Sequence, residues 1–117
     1  MKFMLLIHGN EQALQANTKV DATGMSPEYA AYNEAMMKAG IILGGERLKP
    51  TNTAASVRMK DGRTEVLEGP YAETREQLGG FYMIDVSDMD EAVKWATRCP
   101  AAQWGSIEVR PYAEGFS

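Results

Sequence analysis

Two stretches of this chain, Phe3 to Ile7 and Phe81 to Val86, the latter broken only by Asp85, are apolar on both faces. Successive side chains of a strand point to opposite sides, so such a run needs cover on both. In the first stretch Phe3, Leu5 and Ile7 alternate with Met4 and Leu6. In the second, Phe81 and Met83 alternate with Tyr82, Ile84 and Val86. The remaining elements have to supply that cover, and 117 residues are enough for one domain, residues 1–117, with no second core.

The punctuation places those elements. Met1 to His8 closes at Gly9-Asn10 and reads as a first strand. Glu11 to Met25 is polar without a clean period and reads as loop. Ser26-Pro27-Glu28 supplies a capping hydroxyl, a proline suited to a first helical position and an acid, opening a helix to about Ala39. Its apolar face is Tyr29, Tyr32, Met36 and Ala39, and Gly40 stops it. Ile41 to Leu48 is a second strand. Asp61-Gly62 then joins Ala55–Lys60 to Arg63–Glu68 as a hairpin. Tyr71 to Leu78 is a polar loop or a short helix, and Gly79-Gly80 introduces the strand Phe81 to Val86. Asp88 with Glu91 opens a second helix, striped by Met89, Ala92, Val93 and Ala96 and ended by Pro100. Trp104 to Pro111 alternates as a last strand with one wet face.

Strand, helix, strand, hairpin, strand, helix, strand is an α+β, ferredoxin-like split βαβ order with an inserted β-hairpin. Its two helices share one face of the sheet and leave the other bare. A second copy is the simplest cover, which predicts a homodimer forming a dimeric α/β barrel.

Composition removes several function classes. The net charge of −4 and the lack of a basic cluster argue against a nucleic-acid partner. One cysteine and one histidine make no Cys/His zinc set and no internal disulfide, so no metal site is assigned, although carboxylates remain able to hold a hard metal ion. Cys99 reads as a small buried side chain. The N-terminal apolar run is too short for a signal core or a membrane span, giving an expectation of a cytoplasmic protein with no membrane partner. Gly44-Gly45 and Gly79-Gly80 lack the spacing of a phosphate loop and read as places of close backbone packing.

The most distinctive stretch is Glu68-Gly69-Pro70-Tyr71-Ala72-Glu73-Thr74-Arg75-Glu76-Gln77-Leu78-Gly79-Gly80-Phe81-Tyr82. It resembles the signature of the DGPF branch of the YCII-related family. Met1 to Gly9, Gly44 to Leu48, Asp90 to Ala92, Arg98 to Ala102 and Gly105 to Pro111 are similar to further blocks of that family, in its order. The resemblance implies a dimeric α+β barrel, as the element order does. Some members of the wider family are described as enzymes using a His and Asp pair, with the His near the start of the first helix. Here that start is Ser26-Pro27-Glu28-Tyr29, and Glu68 and Tyr71 replace the usual Asp and Phe, so the pair does not carry over.

The candidate site residues follow from their chemistry. His8, the only imidazole, shares strand parity with Met4 and Leu6, looks away from the helices toward the dimer cleft and can act as acid or base. Glu73 is the second catalytic candidate, on a loop held between Gly-Pro and Gly-Gly, and Gln77 would share its face if that loop were helical. Arg47 can clamp a carboxylate or phosphate, or bridge to Glu68 or Glu73. Glu68, Tyr71 and Gln77 complete the ligand-binding set. Two functions fit: a cofactor-independent enzyme or binder of a small polar or aromatic molecule in the dimer cleft, or a non-catalytic accessory or regulatory dimer acting through protein contacts.

Overall fold

A computed structural model describes residues 1–22 and 26–113; the end of the polar stretch, Thr23 to Met25, and residues 114–117 lie outside the described residues. Strand β1 (Lys2–Gly9) runs through the middle of a four-stranded antiparallel sheet. It is flanked by β5 (Gln77–Asp85) and β6 (Ser106–Pro111), with β2 (Ile42–Arg47) outside β5. The order β2-β5-β1-β6 is that of the ferredoxin-like plan, and β3 (Ala55–Lys60) with β4 (Arg63–Glu68) forms the inserted hairpin as a separate two-stranded sheet.

The parity of β1 decides the layers. Phe3, Leu5 and Ile7 are buried against Tyr32 and Met36 of α2 (Pro27–Lys38) and Ala92 and Ala96 of α3 (Met89–Arg98). Ile84, Val86, Cys99 and Ala101 complete this core. Complete burial of Phe3, Leu5, Met36 and Ile84 stabilises the fold by roughly 1.5–3 kcal/mol for each side chain. Met4, Leu6 and His8 face the other way and stay half-buried, as do Phe81 and Met83 beside them on β5. The described helices thus cover one face of the sheet.

Local chemistry accounts for the element ends. Ser26 accepts from the Tyr29 amide at the start of α2, and Gly40, at φ +70°, takes the left-handed turn after it. Asp88 Oδ1 accepts from the Glu91 amide at 2.9 Å to start α3. Asp61 and Gly62 both have positive φ, the turn that matches the twist of a tight hairpin.

Three expectations need correction. Glu11 to Asn17, read as loop, is a helix, α1, begun by Asn10, whose side chain accepts from the Ala13 amide at 3.1 Å. Leu14 packs it against the sheet over Gly9 and Gly79: a Cβ on Gly9 would come within 2.8 Å of the Leu14 side chain and one on Gly79 within 3.3 Å. Of the two readings of Tyr71 to Leu78 the loop holds, but only through Glu76: β5 begins at Gln77, so Gly79-Gly80 lies inside the strand. A bulge at Gly79 shifts the register between Ile7 and His8. The reading of the glycine pairs as close packing is borne out: a Cβ on Gly45 would meet the Phe81 carbonyl at 2.7 Å, and one on Gly80 the Glu46 carbonyl at 2.9 Å.

The hairpin stands apart. Ser56 Oγ donates to the Gly69 carbonyl and the Gly69 amide to the Ala54 carbonyl, tying its base together, while Val57, Met59 and Val66 lie open to solvent. Its projection helps to raise the radius of gyration to 16.0 Å, against about 13 Å for a compact chain of this length.

Gly105 sits where the turn after α3 crosses β1, and a side chain there would press on the carbonyl oxygens of His8 and Ala101. Gly105→Ala is expected to lower unfolding free energy by about 1–3 kcal/mol in urea titration, the usual range for overpacking. Wild-type stability would contradict this close approach.

Candidate functional site

A concavity of about 650 Å³ lies between α1, α2 and the β2–β5 edge of the sheet. Its floor is open because Gly45 and Gly80 carry no side chains where β2 and β5 pair. Leu14, Ile7, Ile42 and the ring of Tyr82 make apolar walls, and Tyr29 and Asn33, one helical turn apart on α2, bring polar groups to it. This range of volume and this mixture of apolar wall and few polar groups are those of small-molecule sites.

The polar groups have defined states. Burial pushes the Tyr82 hydroxyl up to about 12, against the opposing influence of the nearby Asn33 amide. Burial raises Tyr29 further, reinforced by Cys99, whose Sγ lies 4.0 Å from its hydroxyl. Both tyrosines therefore remain protonated at neutral pH and offer O–H groups, not phenolates. Asn33 Oδ1 is buried with no hydrogen-bond partner among the described residues. Such an acceptor costs about 1–3 kcal/mol while unmet.

The predicted residues do not converge on one place. His8 lies on the open face of the sheet, away from this pocket, with Nε2 3.1 Å from Glu108 Oε1 on β6. Glu108 also accepts from Arg110. The parity read from the sequence holds, and His8 points away from the helices. Arg47 pairs in register with Gly80 and lines the helix-side pocket, forming no ion pair with Glu68 or Glu73. Glu68 ends β4 exposed, and Glu73 is exposed in the loop before β5. Tyr71 is 92% exposed. Gln77 is committed to the backbone: its Oε1 accepts from the Glu11 amide at 3.0 Å and its Nε2 donates to the Thr74 carbonyl. It fastens β5 to the start of α1.

The residues that sequence reasoning missed are Leu14, Asn33 and Tyr82. Asn33, a polar residue four positions after Tyr29, was the legible sign that this part of α2 does not face a closed core. Among the described residues no three His, Cys, Asp or Glu side chains are grouped to hold a metal, and no helix is long and apolar enough to cross a membrane.

On the open face, the hydrogen bond from Arg110, aided by His8, holds Glu108 below its ordinary carboxylate range. Lowering the folded value makes the ionised form a source of stability above the unfolded value, lost as pH falls through the folded one. Glu108→Gln is expected to lower stability at neutral pH and to flatten the acid side of the pH–stability curve measured in urea. An acid limb as steep as that of the wild type would contradict the pairing.

With the geometry in place, kinship adds a frame. A protein of Rhizobium meliloti, described as uncharacterised, is 37% identical over 115 residues, covering 97% of this chain and 93% of the relative. Residues 1–115 match the YCII-related domain, and the chain belongs to that family.

Proposed function

We propose that the chain binds a small, partly aromatic or apolar organic molecule in the pocket between α1, α2 and the sheet, without an organic cofactor, and does so as a homodimer. The observation that carries the reading is the glycine-floored cavity of about 650 Å³ beside the unmet Asn33 oxygen. Tyr82 supplies a neutral O–H donor to a carbonyl, phenol or similar group. We assign the chain to the DGPF branch of its family, on the run from Glu68-Gly69-Pro70-Tyr71 through Gly79-Gly80-Phe81-Tyr82.

The homodimer reading is supported by the anatomy of the open face. Met4, Leu6, Phe81 and Met83 form an apolar centre across β1 and β5, and Ser106, Glu108 and Arg110 of β6 border it with polar groups. An apolar centre with a polar rim is the build of a protein interface. The matching face of a second copy completes the dimeric barrel. Light scattering is expected to give about twice the 12.9 kDa chain mass, and Met83→Lys to reduce it to one copy while α-helical circular dichroism persists. A monomeric wild type at micromolar concentration would remove this part of the proposal.

A second reading, an accessory dimer working through protein contacts, is favoured by one observation: Tyr71 presents a whole phenol ring to solvent on the loop that follows the hairpin. The two readings separate in a fragment screen followed by amide NMR. Small-molecule binding in the pocket predicts ligands that shift Tyr29, Asn33 and Tyr82, are lost in Ala30→Trp, which places an indole in the cavity, and persist in His8→Gln. Ligands that depend on His8 would instead put the site in the cleft between copies. No small-molecule response at either place, with Tyr71→Ala abolishing a protein contact, would establish the accessory role.

A further inference from the structure

Arg47 is the last residue of β2, and its register partner is Gly80, which has no side chain to meet it. Alternation with Gly45 puts the guanidinium on the helix side of the sheet. There it borders two hollows. One is the pocket already described; the other, about 330 Å³, is lined by Glu11, Gln15, Leu48, Lys49 and Pro50. Leu14, Arg47 and Gly79 line both, so the two hollows adjoin and Arg47 stands at their junction.

Around that junction two cations, Arg47 and Lys49, face a single carboxylate lining the smaller hollow, Glu11. Among the described residues neither the Arg47 nor the Lys49 side chain has a hydrogen bond or ion pair. The carboxylate nearest in the smaller hollow, Glu11, is already engaged: Oε1 accepts from the Thr51 amide at 2.6 Å and Oε2 from the Thr51 hydroxyl at 3.2 Å. Glu46 also borders the larger hollow, but its register with Phe81 assigns its side chain to the open face of the sheet. A guanidinium is left beside apolar walls without an ion pair among the described residues.

We infer that the ligand of this pocket is an organic carboxylate with an apolar or aromatic body. The carboxylate meets Arg47, whose planar fork matches it with two parallel hydrogen bonds. The body lies over Leu14, Ile42 and the bare backbone of Gly45 and Gly80. A hydroxyl or amine at the far end satisfies Asn33, whose amide turns about χ2 to present its oxygen. One guanidinium fork suits the two oxygens of a carboxylate. Lys49, one step further out, adds attraction for the same charge.

This inference rests on the helix-side pocket being the ligand site, and the test keeps the two apart. The probes are 2-naphthoate and its neutral counterpart 2-naphthamide, titrated into the full chain while amide resonances are followed. Naphthoate is expected to move Gly45, Gly80 and Asn33 and to bind about tenfold or more tighter than naphthamide, the worth of a charge-assisted pair. Arg47→Met is expected to erase that advantage and leave naphthamide binding unchanged; because Arg47 is exposed and unpaired, the variant should fold normally. Equal binding of both probes, indifferent to Arg47→Met, would retain the pocket and overturn the carboxylate. Failure of both probes to move any pocket resonance would overturn the pocket and the carboxylate together.

Discussion

The two-faced burial of β1 is the constraint on which everything else in this protein depends. Phe3, Leu5 and Ile7 are almost wholly withdrawn from water beneath α2 and α3, and a one-residue slip would put Met4, Leu6 and His8 there instead. That choice fixes which sides of β5 and β6 face the helices, and through β5 it fixes β2. It also separates two chemistries. The open side receives an apolar centre with the Glu108–His8–Arg110 group at its border, whereas the helix side receives Arg47, Tyr82 and the glycine-floored pocket.

Small residues create the pocket by what they omit. Gly45 and Gly80 face one another's strands so closely that a methyl at either would strike a carbonyl, and Leu14 reaches the sheet only because Gly9 and Gly79 leave room for it. The same omissions deny Arg47 a cross-strand partner. A region that packs backbone to backbone at one level is therefore hollow at the next, with a cation at its edge. Gln77 and Glu11 stabilise this end of the sheet through hydrogen bonds to backbone amides.

Much of the architecture was legible where patterns were regular and caps were strong. The parity of β1, the Ser26-Pro27 start of α2, the Asp61-Gly62 hairpin and the Asp88 start of α3 all follow from local rules, and the structure has each of them. Helix α1 was not legible, because its seven residues make their main apolar contact through Leu14 alone and have no stripe. Gly79-Gly80 looked like the start of a strand since glycine punctuates locally, yet here it serves packing inside β5. His8 was placed correctly on the face away from the helices. Its supposed companions were not, since Arg47 lies through the sheet from it and Glu73 stays in an exposed loop. Chain order could not show that, because the pocket is assembled from gaps in three separate elements.

The central claim is a division of labour: one face of the sheet for a second copy, the other for a ligand. Methionine methyl groups report both at once, through their relaxation by a neutral gadolinium chelate dissolved in the solvent, recorded with and without 2-naphthoate. Met4 and Met83 should be shielded in both conditions, Met59 on the hairpin relaxed in both, and Met37, which lines the pocket yet is 66% exposed, relaxed until naphthoate is added. Relaxation of Met4 and Met83 as strong as that of Met59, with Met37 indifferent to naphthoate, would contradict the account.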